Sequence, residues 1–197
     1  MKRLLILSLL AIFVVGSSLA QQKYVPLAEN LKNRTEFQDM KFGVFIHWGI
    51  YSMMADGEWI MNNKNINWQE YAKLADGFYP SKYDAAKWVA DVKAAGAKYI
   101  CITSRHHDGF SMFHTKQSPY NIVDGTPFKR DIIKELADEC HKQGIKLHFY
   151  YSQLDWRRAD YFPLGRTGRG VGRTEQGNWE TYQQFMINQL TELLTNY

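Results

Sequence analysis

A chain of 197 residues is long enough for one domain of ordinary size. Its formal net charge of +4 drops by two, to +2, when Lys2 and Arg3 are removed with the leader described below, and so small a charge excludes general attraction to nucleic acid or anionic membrane. Two cysteines are too few for a disulfide scaffold.

The N-terminus reads as a signal for export. Met1-Lys2-Arg3 precedes an apolar run from Leu4 to Val15 and a small-residue site at Ser18-Leu19-Ala20, the pattern of a secretory signal peptide cut after Ala20. The run is too short to span a bilayer, and Gln21, not cysteine, follows the cut, which argues against a lipid anchor. The expectation is residues 1–20 as leader, residues 21–197 as the mature part, and a secreted or periplasmic location without a membrane anchor.

Thr35 to Met40 then reads as a short helix leading to a buried strand over Phe42–Ile46, with His47 at its end. Ile50 to Asn67 is irregular and carries Gly57-Glu58-Trp59; connections of this length are usually functional or disordered, and Trp59, Ile60 and Met61 argue against disorder. Trp68 to Leu74 makes one or two helical turns, stopped by Pro80. Asp84 caps a helix whose apolar residues are Ala85, Trp88, Val89, Val92 and Ala95, closed by Gly96.

Lys98 to Thr103 is rich in β-branched and aromatic residues and suits a strand covered on both faces. It ends abruptly in Ser104-Arg105-His106-His107-Asp108-Gly109. Side chains of a strand alternate faces, so adjacent histidines serve one site only where the chain has left the strand. That place is the C-terminal rim, where parallel α/β folds bind ligands.

Asp131 caps a second helix, with Ile132, Ile133, Leu136, Ala137 and Cys140 on one face and Gly144 at its end. Lys146 to Ser152 is the third strand, followed by the polar tail Gln153 to Trp156. AAGAKYICITS and KQGIKLHFYYS repeat one unit, with glycines 48 residues apart, and such units imply a parallel sheet with right-handed crossovers. Cys101 in its strand and Cys140 on its helix read as small buried hydrophobes.

Arg157 to Gly177 is rich in Gly and Arg, but its glycine spacing fits neither the dinucleotide fingerprint nor the P-loop, so it reads as a flexible lid or a solvated excursion. A last helix starts near Asn178 and carries Trp179, Tyr182, Phe185, Met186, Leu190, Leu193 and Leu194 on one face. Leu193 to Tyr197 lies where this repeat would begin a fourth strand. The expected fold class is therefore α/β, the first three β/α units of a partial (β/α)8 TIM-like barrel, truncated before strand 4.

The polar residues at the three strand ends are His47; His106, His107 and Asp108; and Tyr150, Ser152 and Asp155, with Glu58 and Trp59 added from the first loop. Two chemical uses fit this set. Imidazoles ligate zinc and related ions, although neighbours as close as His106 and His107 do not share one ion without strain. Alternatively, neutral imidazoles both donate to and accept from a polyol, Glu58 accepts from two hydroxyls, and Trp59 covers an apolar sugar face. A third reading is packed structural histidines.

KFGVFIHWGIYS, GEWIMNN, AGAKYICITSRHHDGF, KRDIIKEL and FYYSQLDW, in this order, resemble the α-L-fucosidases of glycoside hydrolase family 29 over essentially all of the chain after the leader. The resemblance implies a (β/α)8-like barrel followed by a β-sandwich, and retaining hydrolysis of terminal α-linked L-fucose from glycans, without metal or other cofactor. It places His47, Glu58, Trp59, His106, His107 and Tyr150 in the fucose pocket. It also puts the nucleophile, an aspartate ending the fourth strand, and the acid/base residue beyond Tyr197, so that no catalytic residue falls in this chain. The rivals are a sugar-binding protein that has lost the chemistry and a metal-dependent hydrolase.

Overall fold

The structure is a computed structural model that describes residues 24–161, 167–174 and 177–197. The expected leader, residues 1–20, lies outside the described residues, and among those described no helix is long and apolar enough to cross a membrane.

Residues 24–39 belong to a unit of their own. Its helix α1, Ala28–Met40, is longer than the six-residue helix expected from Thr35, and none of its residues is buried. Good helix formers in its first two turns and a Lys32–Glu36 pair one turn apart, at 3.8 Å, extend it.

Met40 to Tyr197 forms the second unit, an α/β fold on a small parallel sheet. Strands β1 (Gly43–Ile46), β2 (Tyr99–Arg105) and β3 (Lys146–Tyr151) lie in that order, all parallel, with Phe45 opposite Cys101 and Cys101 opposite His148. Between β1 and β2 come the short helices α2 (Ile60–Asn63) and α3 (Trp68–Ala72) and the crossover helix α4 (Ala85–Ala94). Helix α5 (Ile132–Gln143) joins β2 to β3 and packs beside α4, and α6 (Trp179–Asn196) follows the last long loop.

The three longer helices of this unit each begin at a side-chain cap. Asp84 accepts from the Lys87 amide at 2.9 Å, Asp131 from that of Lys134 at 3.1 Å, and Asn178 from that of Glu180 at 2.8 Å. Gly144 ends α5 at φ 75°, in the left-handed region.

Among the described residues, helices cover one face of the sheet. Ile100 and Ile102 on that face are fully buried with Val89, Ile132, Ile133, Leu136 and Cys140. The opposite face carries Phe45, Tyr99, Cys101 and His148, and there Phe45 remains 52% exposed. The expectations of a strand buried from Phe42 to Ile46 and of a β2 covered on both faces are thus corrected. β1 and β3 each have one strand neighbour among the described residues, and burial along β2 alternates from Tyr99 to Ile102. Cys101 and Cys140 lie on opposite sides of the sheet layer, and both thiols are free.

The Gly/Arg-rich loop is not a solvated excursion over its described part, 167–174. Val171 is fully buried, the Gly168 amide donates to Asn62 Oδ1 at 2.6 Å, and Trp156 Nε1 donates to Thr167 Oγ1 at 3.1 Å. Residues 162–166 and 175–176 of this loop lie outside the described residues.

Candidate active site

Each strand delivers its polar residues to the same rim by a different device. At the end of β1, Thr103 Oγ1 accepts from the Trp48 amide at 2.8 Å and donates to the Trp48 carbonyl at 2.5 Å. This clamp holds the backbone next to His47 against β2. At the end of β2, the pairing with β3 shifts between Thr103 and Arg105, so the strict alternation of side chains is lost.

The turn that follows is pinned from behind. Asp108 Oδ1 accepts from the Phe110 amide at 2.9 Å, and Tyr71 donates to its Oδ2 at 3.1 Å. Gly109 sits at φ +80°, where a Cβ would lie 3.1 Å from Asp155 Oδ1. With the strand geometry broken, His106 and His107 share one site, their ring centres 4.1 Å apart.

Around His106 stand His47 at 5.0 Å and Tyr150 at 5.9 Å, ring centre to ring centre. His47 and Tyr150 are 6.1 Å apart, so the ends of all three strands meet. The His107 ring lies 5.4 Å from Trp59 and 5.1 Å from Trp156. Glu58 is half-buried beside this group, and its charge bears on Tyr51, His107 and Tyr150. The six residues nominated from the sequence thus fall in one neighbourhood.

Two acids collected with them do not join the mouth. Asp108 is 2% exposed and turned toward Tyr71, and burial pushes its carboxyl up to about 6. Asp155 is wholly buried in an ion pair with Arg105, whose guanidinium also donates to the Ser152 carbonyl at 3.1 Å. Arg105 lies 5.3 Å from both the Tyr151 and Phe185 rings, and so ties β2 to β3 and α6.

The paired imidazoles of His106 and His107 are held neutral. Burial, reinforced by the charges of His107 and His47, pulls His106 down to about 3. Burial and then the Arg105 charge pull His107 down to about 4. The buried Nδ1 of His106 has no hydrogen-bond partner among the described residues. No three His, Cys, Asp or Glu side chains among the described residues are grouped as metal ligands would be.

Two contributors were not nominated from the sequence. Tyr51, 4% exposed, packs at 5.5 Å against His47 and 5.1 Å against His106. Trp156, 1% exposed, backs both His107 and Trp59. The only sequence signal was their place within a few residues of a strand end.

The chain matches the family model described as Alpha-L-fucosidase over residues 11–197. It belongs to the α-L-fucosidase family. An α-L-fucosidase of Branchiostoma floridae is 31% identical over 220 aligned positions, which cover 98% of this chain and 45% of that protein. Among solved structures, the Lactobacillus casei α-L-fucosidase in complex with its α-L-fucose product has a TM-score of 0.74 at 38% identity, covering 82% of this chain and 57% of that one. Isoenzyme 1 from Paenibacillus thiaminolyticus has a TM-score of 0.76 at 38% identity, covering 82% and 39%. The chain spans only 35–45% of the length of the first curated family members it matches.

Proposed function

We propose that residues 21–197 are the N-terminal part of the catalytic barrel of an exported, retaining α-L-fucosidase. On this reading His47, Glu58, Trp59, His106, His107 and Tyr150 bind the terminal L-fucose of a glycan. The observation that carries it is the meeting of His47, His106 and Tyr150 at one rim, with ring centres 5.0 to 6.1 Å apart. The family membership supplies the substrate.

The chemistry of the pocket follows from its groups. Neutral imidazoles offer a donor and an acceptor each, which matches hydroxyls that do the same. Glu58 accepts from hydroxyls, and Trp59 presents a flat apolar face. Each neutral hydrogen bond contributes about 0.5–1.5 kcal/mol and a charged one about 1.5–3 kcal/mol, so five or six such groups separate one sugar from its epimers.

Bond cleavage with retention needs two carboxyl groups about 5–5.5 Å apart, one attacking the anomeric carbon and one protonating the leaving oxygen. Asp108 and Asp155 are committed to interior partners, and the binding role takes Glu58. On the family resemblance, the nucleophile and the acid/base residue belong to sequence beyond Tyr197. The half-exposed sheet face bearing Phe45, Tyr99, Cys101 and His148 suits the interior of a barrel completed by further strands.

The test compares purified residues 21–197 with the complete polypeptide on a nitrophenyl α-L-fucoside. The complete polypeptide is expected to release nitrophenol and residues 21–197 none above buffer. Release by residues 21–197, or fucose binding without hydrolysis by the complete polypeptide, contradicts the reading.

A further inference from the structure

We infer that Ser152 sets the tautomer of His107, holding the ring proton on Nδ1 and leaving the Nε2 lone pair as an obligate acceptor for a sugar hydroxyl. The sugar part of this inference rests on the fucose pocket proposed above; the tautomer stands on the protein alone.

A serine hydroxyl has one proton and two lone pairs. Ser152 Oγ lies 2.8 Å from the Leu154 carbonyl oxygen and 2.6 Å from His107 Nδ1. A carbonyl only accepts, so the serine proton goes to Leu154; the Tyr150 phenol, which also reaches the Ser152 hydroxyl, donates to one of its lone pairs, and the bond to the imidazole closes only if Nδ1 donates to the other. Turning the serine proton toward His107 would leave two oxygens at 2.8 Å facing each other with lone pairs alone.

Both partners are held in place. The Ser152 amide donates to the Arg105 carbonyl at 3.0 Å, and the side chain is 2% exposed. The His107 carbonyl accepts from the Trp156 amide at 2.7 Å, while its ring has Trp59 and Trp156 as neighbours. Burial also keeps this imidazole neutral near pH 7, so it carries one ring proton and the choice of nitrogen is real.

The consequence is directional. A hydroxyl meeting Nε2 must donate, and its oxygen stays available to accept from another group. A fluorine or methoxy substituent in that place lacks the proton and meets a lone pair. Ser152 is therefore a positioning residue for specificity that never touches the sugar.

Long-range proton–nitrogen NMR on the ¹⁵N-histidine-labelled complete polypeptide at pH 7 reads the tautomer, with the His107 signals assigned from a His107→Gln spectrum. The expected pattern is a protonated-type Nδ1 and an unprotonated Nε2. A protonated Nε2 in the unsubstituted protein overturns the inference without bearing on whether fucose binds. Ser152→Ala is expected to shift the population toward protonated Nε2 and to weaken L-fucose binding roughly threefold to tenfold, and Ser152→Thr to restore both. A His107 nitrogen pattern unchanged in folded Ser152→Ala overturns the inference. The expected pattern with no movement of the Nε2 signal on adding L-fucose upholds the tautomer and overturns the fucose pocket.

Discussion

The buried imidazoles of His106 and His107, pulled to about 3 and about 4 from an ordinary 6.5, couple folding to pH in a definite direction. Below pH 6.5 the unfolded chain takes up protons that the folded one refuses. Their contribution to stability is complete above that value and is lost as pH falls toward 4. Asp108 works the other way, because a carboxyl raised from 3.8 to about 6 binds more protons folded than unfolded. Its contribution is present below pH 3.8 and lost as pH rises through 6. Urea midpoints measured from pH 7 to pH 4 are therefore expected to fall, and to fall more steeply in Asp108→Asn; an equal or shallower slope in that variant contradicts the assignment. Arg105→Met strands a buried Asp155 and is expected to destabilise by about 3–5 kcal/mol in the same assay, far more than the double replacement Arg105→Met with Asp155→Leu.

At the scale of elements, the turn after β2 converts a strand into a site. Gly109→Ala must adopt φ +80° with its methyl against Asp155, a change expected to cost about 1–2 kcal/mol and to weaken fucose binding by disturbing the His106–His107 pair. Wild-type stability and affinity in this variant would show the turn to be permissive. Much of this organisation was legible in the sequence. Asp84 and Asp131 announced their helices because a cap is a local contact. The paired histidines announced a strand end because alternation cannot serve both. What escaped was non-local. Asn62 holds Gly168 across 106 residues, so the anchoring of the Gly/Arg loop left no local mark. Arg105 and Asp155 find each other across 50 residues, and Asp155 read as a rim acid instead. Tyr51 and Trp156 were not nominated because an aromatic side chain suits a core as well as a pocket wall, and no local pattern separates the two.

At the scale of the whole molecule, the described helices lie on one face of the sheet and Phe45, Tyr99, Cys101 and His148 stand half-exposed on the other, the face that the proposed barrel would enclose. The account assigns recognition of fucose to this part and bond breaking to sequence that follows. It also expects the mature protein to begin at Gln21, which N-terminal sequencing of the exported product checks; retention of the leader would contradict export by cleavage. Calorimetric titration of L-fucose into the complete polypeptide bears most directly on the shared pocket. The account predicts one saturable site, weakened roughly threefold to tenfold in His106→Ala and by about tenfold to a hundredfold in Glu58→Gln. Folded variants that bind fucose as tightly as the parent would contradict it.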